Sequence, residues 1–234
     1  MTSTWEAVVR RSEINSIIKE MEELVKAHGF HLPPFCSWTP EEWQEKGHEC
    51  DEIRECMLGW DITDFGSGDF DHVGFALITI RNGKLGSVYT KPYAEKLIML
   101  REGQTAPMHY HWYKREDIIN RGGGDLIISV RNGLEDRSYD EKPVTVYLDG
   151  VTKTVPSGYG VVIPPGSSIS LPQYQYHDFA VVPGTGKILI GEVSMCNDDN
   201  NDNCFYNGAG RFPEIEEDEP PYRLLCNEYP EAKG

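Results

Sequence analysis

The chain has 234 residues and carries 22 Lys and Arg against 38 Asp and Glu, a formal net charge of −16. That length can bury a real core without disulfide or metal staples, and the negative field, with no dense basic patch against it, excludes nucleic acid as a partner and fits a neutral polar ligand better than a phosphorylated one. No apolar run approaches the roughly 18 residues of a membrane span, residues 1–20 lack the basic, apolar and small-residue zones of a secretory leader, and the six cysteines form no Cys-x-x-Cys pair, so we expect no membrane partner, a cytoplasmic location and reduced thiols.

In chain order, Ile14, Ile17, Ile18, Met21, Leu24 and Val25 recur at the three-and-four spacing of an amphipathic helix over residues 12–28. Ser12 can cap its start and Gly29 its end. A second helix begins sharply at Thr39, with Pro40 in its first turn and Glu42 three residues after the cap, the pattern of a capping box. Its apolar face is thin, Trp43 with residues near Ile53 and Met57, so both helices are expected to cover the outside of something else.

From Trp60 the pattern becomes short extended segments separated by turns. Phe75 to Ile80, Asn82-Gly83 and Leu85 to Tyr89 read as a hairpin. Further strands are expected at Lys96 to Leu100, Met108 to Tyr110, Leu126 to Val130, Val144 to Leu148, Val151 to Val155, Gly160 to Ile163, His177 to Val182 and Lys187 to Val193, with a hairpin turn at Asp149-Gly150. Many short strands without alternating long helices indicate an antiparallel, all-β sandwich or barrel rather than a doubly wound sheet. The chain closes on a polar loop, Asn197 to Asn203, and an acidic run, Glu214 to Glu219, expected to face water. They suggest an extended segment laid over the barrel.

The candidate chemistry lies in Gly103-x5-His109-x-His111-x4-Glu116-x6-Gly123. On a strand, His109 and His111 project to the same side and can reach one ion. Glu116 follows after enough residues for the strand to turn and a partner strand to begin, returning its carboxylate to the same centre. Two imidazoles and a carboxylate suit a divalent ion such as Mn, Fe, Co, Ni or Zn. His177, in Tyr174-Gln-Tyr-His-Asp-Phe179 about 60 residues on, is the best fourth ligand and is expected from a strand across the barrel. His28, His31, His48 and His72 read as ordinary histidines. Tyr110, Trp112 and Tyr113 either stack on a ligand or fill the barrel.

Gly103 to Gly123 resembles the first cupin motif, and Gly158-x5-Pro164-x-Gly166 resembles the opening of the second. The pattern would place a histidine near Ile169; here His177 comes eleven residues after Gly166, so the second motif is stretched. More narrowly, YTKPYAEKLIMLREGQTAPMHYHWYKREDIINRGGG, GEVSMCNDDNNDNCFY and RFPEIEEDEPPYRLLCNEYP resemble the D-lyxose isomerase family of cupins across essentially the whole chain. The resemblance implies one cupin domain (a double-stranded β-helix or jelly-roll barrel). A helical N-terminal extension at about 5–58 would pack outside a barrel core at about 60–195, followed by an acidic C-terminal segment at about 196–234.

It also implies interconversion of D-lyxose with D-xylulose, and of D-mannose with D-fructose, with manganese (Mn2+) preferred over Co2+, Fe2+ or Zn2+, in a homodimer acting on free sugars. Carried over by motif, His109, His111, Glu116 and His177 would hold the metal, while Glu192, Lys96 and Arg211 would line the sugar pocket. Glu192, after the apolar Ile188-Leu-Ile190, is the candidate proton carrier. Lys96 and Lys114 are candidate charges for sugar oxygens, and Arg211 either serves there or holds the acidic segment. Competing expectations are a metal-dependent dioxygenase on the same barrel, a phosphosugar isomerase, for which no phosphate nest is visible, and a sugar-binding cupin without chemistry.

Overall fold

The computed structural model describes residues 9–198, 201–208 and 215–234. Its elements are β1 (Val9–Arg10), α1 (Arg11–Ala27), α2 (Pro40–Gln44), α3 (Asp51–Glu55), β2 (Gly59–Thr63), β3 (Phe75–Arg81), β4 (Tyr93–Leu100), β5 (Thr105–His111), β6 (Glu116–Gly123), β7 (Leu126–Gly133), β8 (Tyr139–Asp140), β9 (Val144–Leu148), β10 (Val151–Val155), β11 (Tyr159–Ile163), β12 (Ser168–Leu171), β13 (Gln175–Val181), β14 (Ile188–Met195), β15 (Asn203–Phe205) and β16 (Ile215–Glu216). Eight strands form one sheet, in the order β10-β9-β12-β6-β14-β4-β3-β2, and five more form the run β11-β7-β13-β5-β15, with β8 against β7. The pairings within both large sheets are antiparallel. This is the expected all-β class with helices at its N-terminal end.

Strand alternation divides the apolar residues between two cores. Leu77, Ile98, Leu100, Ile118, Ile169 and Ile190 of the larger sheet meet Ile128, Val130, Val161, Ile163, Phe179 and Val181 of the smaller one in a single cluster between the sheets. The neighbours Ala76, Ile78, Leu97, Met99 and Leu189 face the other way and join Ile14, Ile17, Ile18 and Met21 of α1. Helix α1 therefore packs on the outer face of the larger sheet, as its periodicity predicts.

The helix boundaries shift for identifiable reasons. Arg10, not Ser12, is the N-cap, and its backbone N–H is taken by Glu13; Ser12 instead donates its backbone N–H and hydroxyl to Asp218. At the other end Gly29 has φ +68°, and the bonds Gly29 N–H to Lys26 O and Phe30 N–H to Val25 O close a Schellman motif. The capping box at Thr39 forms as expected, but its helix lasts only five residues. Trp43 packs on Trp38 and Tyr229 with Arg54 over its ring, while Met57 is 39% exposed.

The hairpin expected at Asn82-Gly83 does not form. Residues 85–89 are not a strand, Leu85 and Val88 are exposed, and β3 pairs with β2 and β4 instead. Asn82 has a long-range use for its side chain that overrides the local turn preference. The Asp149-Gly150 turn does form, both residues having positive φ as the favoured hairpin turn requires.

The acidic run faces water as expected, Glu216 to Glu219 all being exposed, but it also makes bonds. Glu217, Asp218 and Glu219 bind Arg11, Ser12 and Asn15 of α1. Glu228 shares the Arg11 guanidinium, so residues 217–228 strap the helix to the sheet. The six cysteines are free thiols. Among the described residues no helix is long and apolar enough to cross a membrane.

Candidate metal centre

His109 and His111 lie two apart on β5 and point between the sheets, as the strand period dictates. His177 on β13 is the direct cross-strand partner of His109. It reaches the cluster from the adjoining strand, not from across the barrel as its sequence separation suggested. Glu116 begins β6, which belongs to the other sheet. It is this carboxylate, not His177, that arrives from the opposite wall, because the chain changes sheets between His111 and Glu116.

The ligand atoms of His109, His111 and His177 lie within 4.8 Å of one another, and all three side chains are buried. Two of the rings have their tautomer set. His109 Nδ1 donates to the Pro107 carbonyl at 2.8 Å and His177 Nδ1 to the Gln175 carbonyl at 3.0 Å, which leaves Nε2 of each ring as its ligand atom. His177 Nε2 and both ring nitrogens of His111 make no hydrogen bond. Yet Glu116 Oε1 stands 3.0 Å from His177 Nε2, and its Oε2 3.3 Å from His111 Nε2. A lone pair facing a carboxylate is unfavourable unless a cation lies between them. The donor set of imidazole nitrogens and carboxylate oxygen suits a divalent ion, so the residues fit the metal their spacing implied.

The electrostatics agree. Burial drives His109 well below its usual value, helped by the other two imidazoles. Burial and the Lys114 ammonium lower His111. For Glu116 burial works upward, but Lys114 and His111 outweigh it and hold the carboxyl well below the ordinary range. Burial thus disfavours charge on His109 and His111, while the Glu116 carboxyl is held ionised.

Next to it the larger sheet carries Glu192 on β14, paired in register with Lys96 on β4. Lys114 Nζ bridges the two acids, 2.9 Å from Glu116 Oε2 and 3.0 Å from Glu192 Oε1, and Lys96 Nζ is 3.5 Å from the same Glu192 oxygen. All of these side chains are buried. Burial raises the Glu192 carboxyl, but Lys114 and Lys96 bring it below its usual value, so it is ionised. Sequence reasoning placed Glu192, Lys96 and Lys114 near the site, and the structure brings all three together. Arg211 lies outside the described residues.

Tyr110 and Trp112 satisfy neither expectation. Tyr110 leaves β5 on the face opposite the histidines, where it packs with Tyr176, Cys204 and Trp112, the residue just after the strand. Tyr113 is 70% exposed. His48 and His72 are exposed and paired with Asp51 and Asp69, and His28 closes the end of α1.

Three contributors were missed in the polar loop and the short strand after it. Asp202 accepts the backbone N–H groups of Tyr113 and Lys114, shaping the turn that aims Lys114. Asn197 Oδ1 accepts from Lys96 and Lys114. Phe205 on β15, which pairs with β5, sets its ring 5.2 Å from His109. The local sign was an Asx-rich stretch, which templates turns as readily as it faces water.

A family model described as D-lyxose isomerase matches residues 9–229. A protein named D-lyxose/D-mannose isomerase from Serratia proteamaculans is 45% identical over 94% of this chain and 98% of its own length. One of the same name from Escherichia coli O157:H7 is 43% identical over the same shares. Among solved structures, L-ribose isomerase of Acinetobacter sp. DL28 in complex with L-ribose superposes with a TM-score of 0.60 at 13% identity, covering 90% of this chain and 99% of that one. The unliganded L-ribose isomerase of Cellulomonas parahominis does so with a TM-score of 0.57 at 15% identity, covering 90% and 100%.

Proposed function

The chain belongs to the D-lyxose isomerase family and is a metal-dependent sugar isomerase; from that premise we propose that it interconverts D-lyxose with D-xylulose and D-mannose with D-fructose through a cis-enediol. The observation that carries the reading is a buried Glu192 joined through the ammonium of Lys114 to Glu116, the carboxylate that faces His111 and His177. In this reading His109, His111, Glu116 and His177 hold a divalent ion, Mn2+ in preference to Co2+, Fe2+ or Zn2+, on the two-sheet shell of a single cupin barrel in a cytoplasmic homodimer.

When bound, the ion supplies positive charge against the negative charge that develops on the sugar's O1 and O2. The chain's own groups do the rest. Glu192 takes the proton from C2 as the C1 carbonyl becomes an enolate, the C2 hydroxyl proton passes to O1, and Glu192 returns its proton to C1 as the C2 carbonyl forms. One carboxylate can serve both transfers because C1 and C2 are adjacent and share a face in the cis-enediol. Lys114 and Lys96 keep that carboxylate ionised at neutral pH and oppose negative charge on the sugar oxygens. Phe205 and Phe179 close the histidine end with apolar surface, which limits water around the reacting edge.

The test is incubation of metal-stripped protein plus Mn2+ with a panel of free and phosphorylated aldoses, following ketose formation and solvent deuterium at C1 and C2. Ketose from free lyxose and mannose is expected. Exclusive turnover of phosphorylated sugars, or binding without label exchange, would overturn the reading, and the mass by sedimentation checks the dimer.

A further inference from the structure

One buried side chain reaches the Glu192 network from a loop that the proposed chemistry does not use. Asn82 follows β3 and is 5% exposed. Its amide grips the backbone of residue 197 from both sides: Oδ1 accepts the Asn197 N–H at 2.9 Å and Nδ2 donates to the Asn197 carbonyl at 3.1 Å. The same Nδ2 reaches the Cys56 carbonyl at 3.4 Å. A two-point bond of this kind fixes rotation as well as position.

The loop bearing Asn82 is itself held tightly, since a Cβ at Gly83 would stand 2.0 Å from the Lys91 carbonyl oxygen. Asn197, just beyond β14, presents its own Oδ1 to Lys96 Nζ at 2.7 Å and to Lys114 Nζ at 3.3 Å. An amide oxygen has two lone pairs and can accept from both. These are the two ammoniums set against Glu192 Oε1. A cavity of about 270 Å³, lined by Asp61, Thr79, Asn82, Asn197 and Asp198 among others, lies against the clamp, so residue 197 has space to move if released.

We propose that Asn82 is a positioning residue for the isomerase: by clamping residue 197 it aims the Asn197 amide oxygen at Lys96 and Lys114 and so fixes the two cations that orient Glu192. This rests on the reading of Glu192 as the proton carrier. In this proposal Asn82 acts through residue 197 and not on sugar or metal directly.

The test compares metal-loaded wild type with Asn82→Ala, Asn197→Ala and the double variant. Each single change is expected to lower kcat about 10–100-fold, with KM within about threefold and metal content unchanged. The double variant should be no worse than Asn197→Ala alone, because both changes cut one chain of contacts. Losses that multiply, or wild-type kcat in a folded Asn82→Ala protein, would overturn the proposal. Should the alanine variant fail to fold, Asn82→Asp keeps the size and the acceptor while setting an oxygen against the Asn197 carbonyl, and the same kcat loss is expected.

A second readout needs no sugar. The 15N signals of the Lys96 and Lys114 ammonium groups should shift or broaden in Asn82→Ala, and unchanged signals would refute the clamp. If wild type converts no free aldose, the functional reading falls, while the lysine signals still decide the role of Asn82.

Discussion

Among the described residues a cation is buried between carboxylates in two places, and the two are built differently. On the outer face of the larger sheet Arg11, 2% exposed, spends its donors on Glu217 and Glu228, with bonds of 2.9 and 2.6 Å to the first and 3.1 Å to the second. Between the sheets Lys114 bridges Glu116 and Glu192 at similar distances, but the imidazoles beside it keep nitrogens without partners. The first cluster closes on itself and needs nothing more. The second is complete only with another positive centre, and this difference separates a structural ion cluster from a site.

The comparison breaks most sharply at Glu192. Glu192→Gln should lower kcat about 10³-fold, roughly 4 kcal/mol of transition-state stabilisation, while stoichiometric metal is retained. Steady-state rates with metal analysis check it, and near-normal turnover would return Glu192 to the structural class. Metal removal comes next. Saturating Mn2+ at about 100 times its Kd should raise unfolding free energy by about 2.7 kcal/mol, seen in urea melts with and without chelator. His177→Gln should abolish most of that increment, whereas Arg11→Met should leave it intact.

Much of this division was legible in the chain, and the rest was hidden by pairing. His109 and His111 declare a shared face because strand alternation is local. The places of Glu116 and His177 depend on which sheet each strand joins, which no spacing encodes: Glu116 lies five residues after His111 on the other wall, and His177, sixty-eight residues after His109, lies directly beside it. Asn82-Gly83 was misread for the opposite reason. The dipeptide is a strong local turn signal, but the Asn82 amide bonds to a backbone 115 residues away, and such contacts leave no local periodicity. Glu217, Asp218 and Glu219 are exposed as their charge implies, but their bonds to Arg11, Ser12 and Asn15 could not be read, because those partners lie some two hundred positions earlier.

Smaller effects sharpen the structural side. Arg11→Met should cost about 2 kcal/mol, less than the 3–5 typical of a fully buried pair because Glu217 is more than half exposed. The Arg11 hydrogen bond lowers the Glu217 carboxyl against a small burial effect, and bonds from Ser12 lower Asp218. Their stabilisation is therefore full above the unfolded carboxylate range of about pH 4 and is lost as pH falls through the lower folded values. Wild type and Arg11→Met should converge in stability as the pH is taken through that window; a gap that persists in acid would mean that the guanidinium acts through packing alone.

Thr39→Ala should have the smallest effect, about 1 kcal/mol from one lost cap, read from urea melts, with metal content and kcat unchanged. Helix α2 is only five residues long, too short to stand without help, so its cap competes with the stack of Trp43 on Tyr229 at 3.9 Å for control of that corner. If the stack dominates, Trp43→Ala will cost several-fold more than Thr39→Ala, and neither change will reach the histidines, because α2 lies at the strap end of the chain's contacts and not at the lysine end. A loss of metal in either variant would instead couple the two clusters and remove the distinction between them.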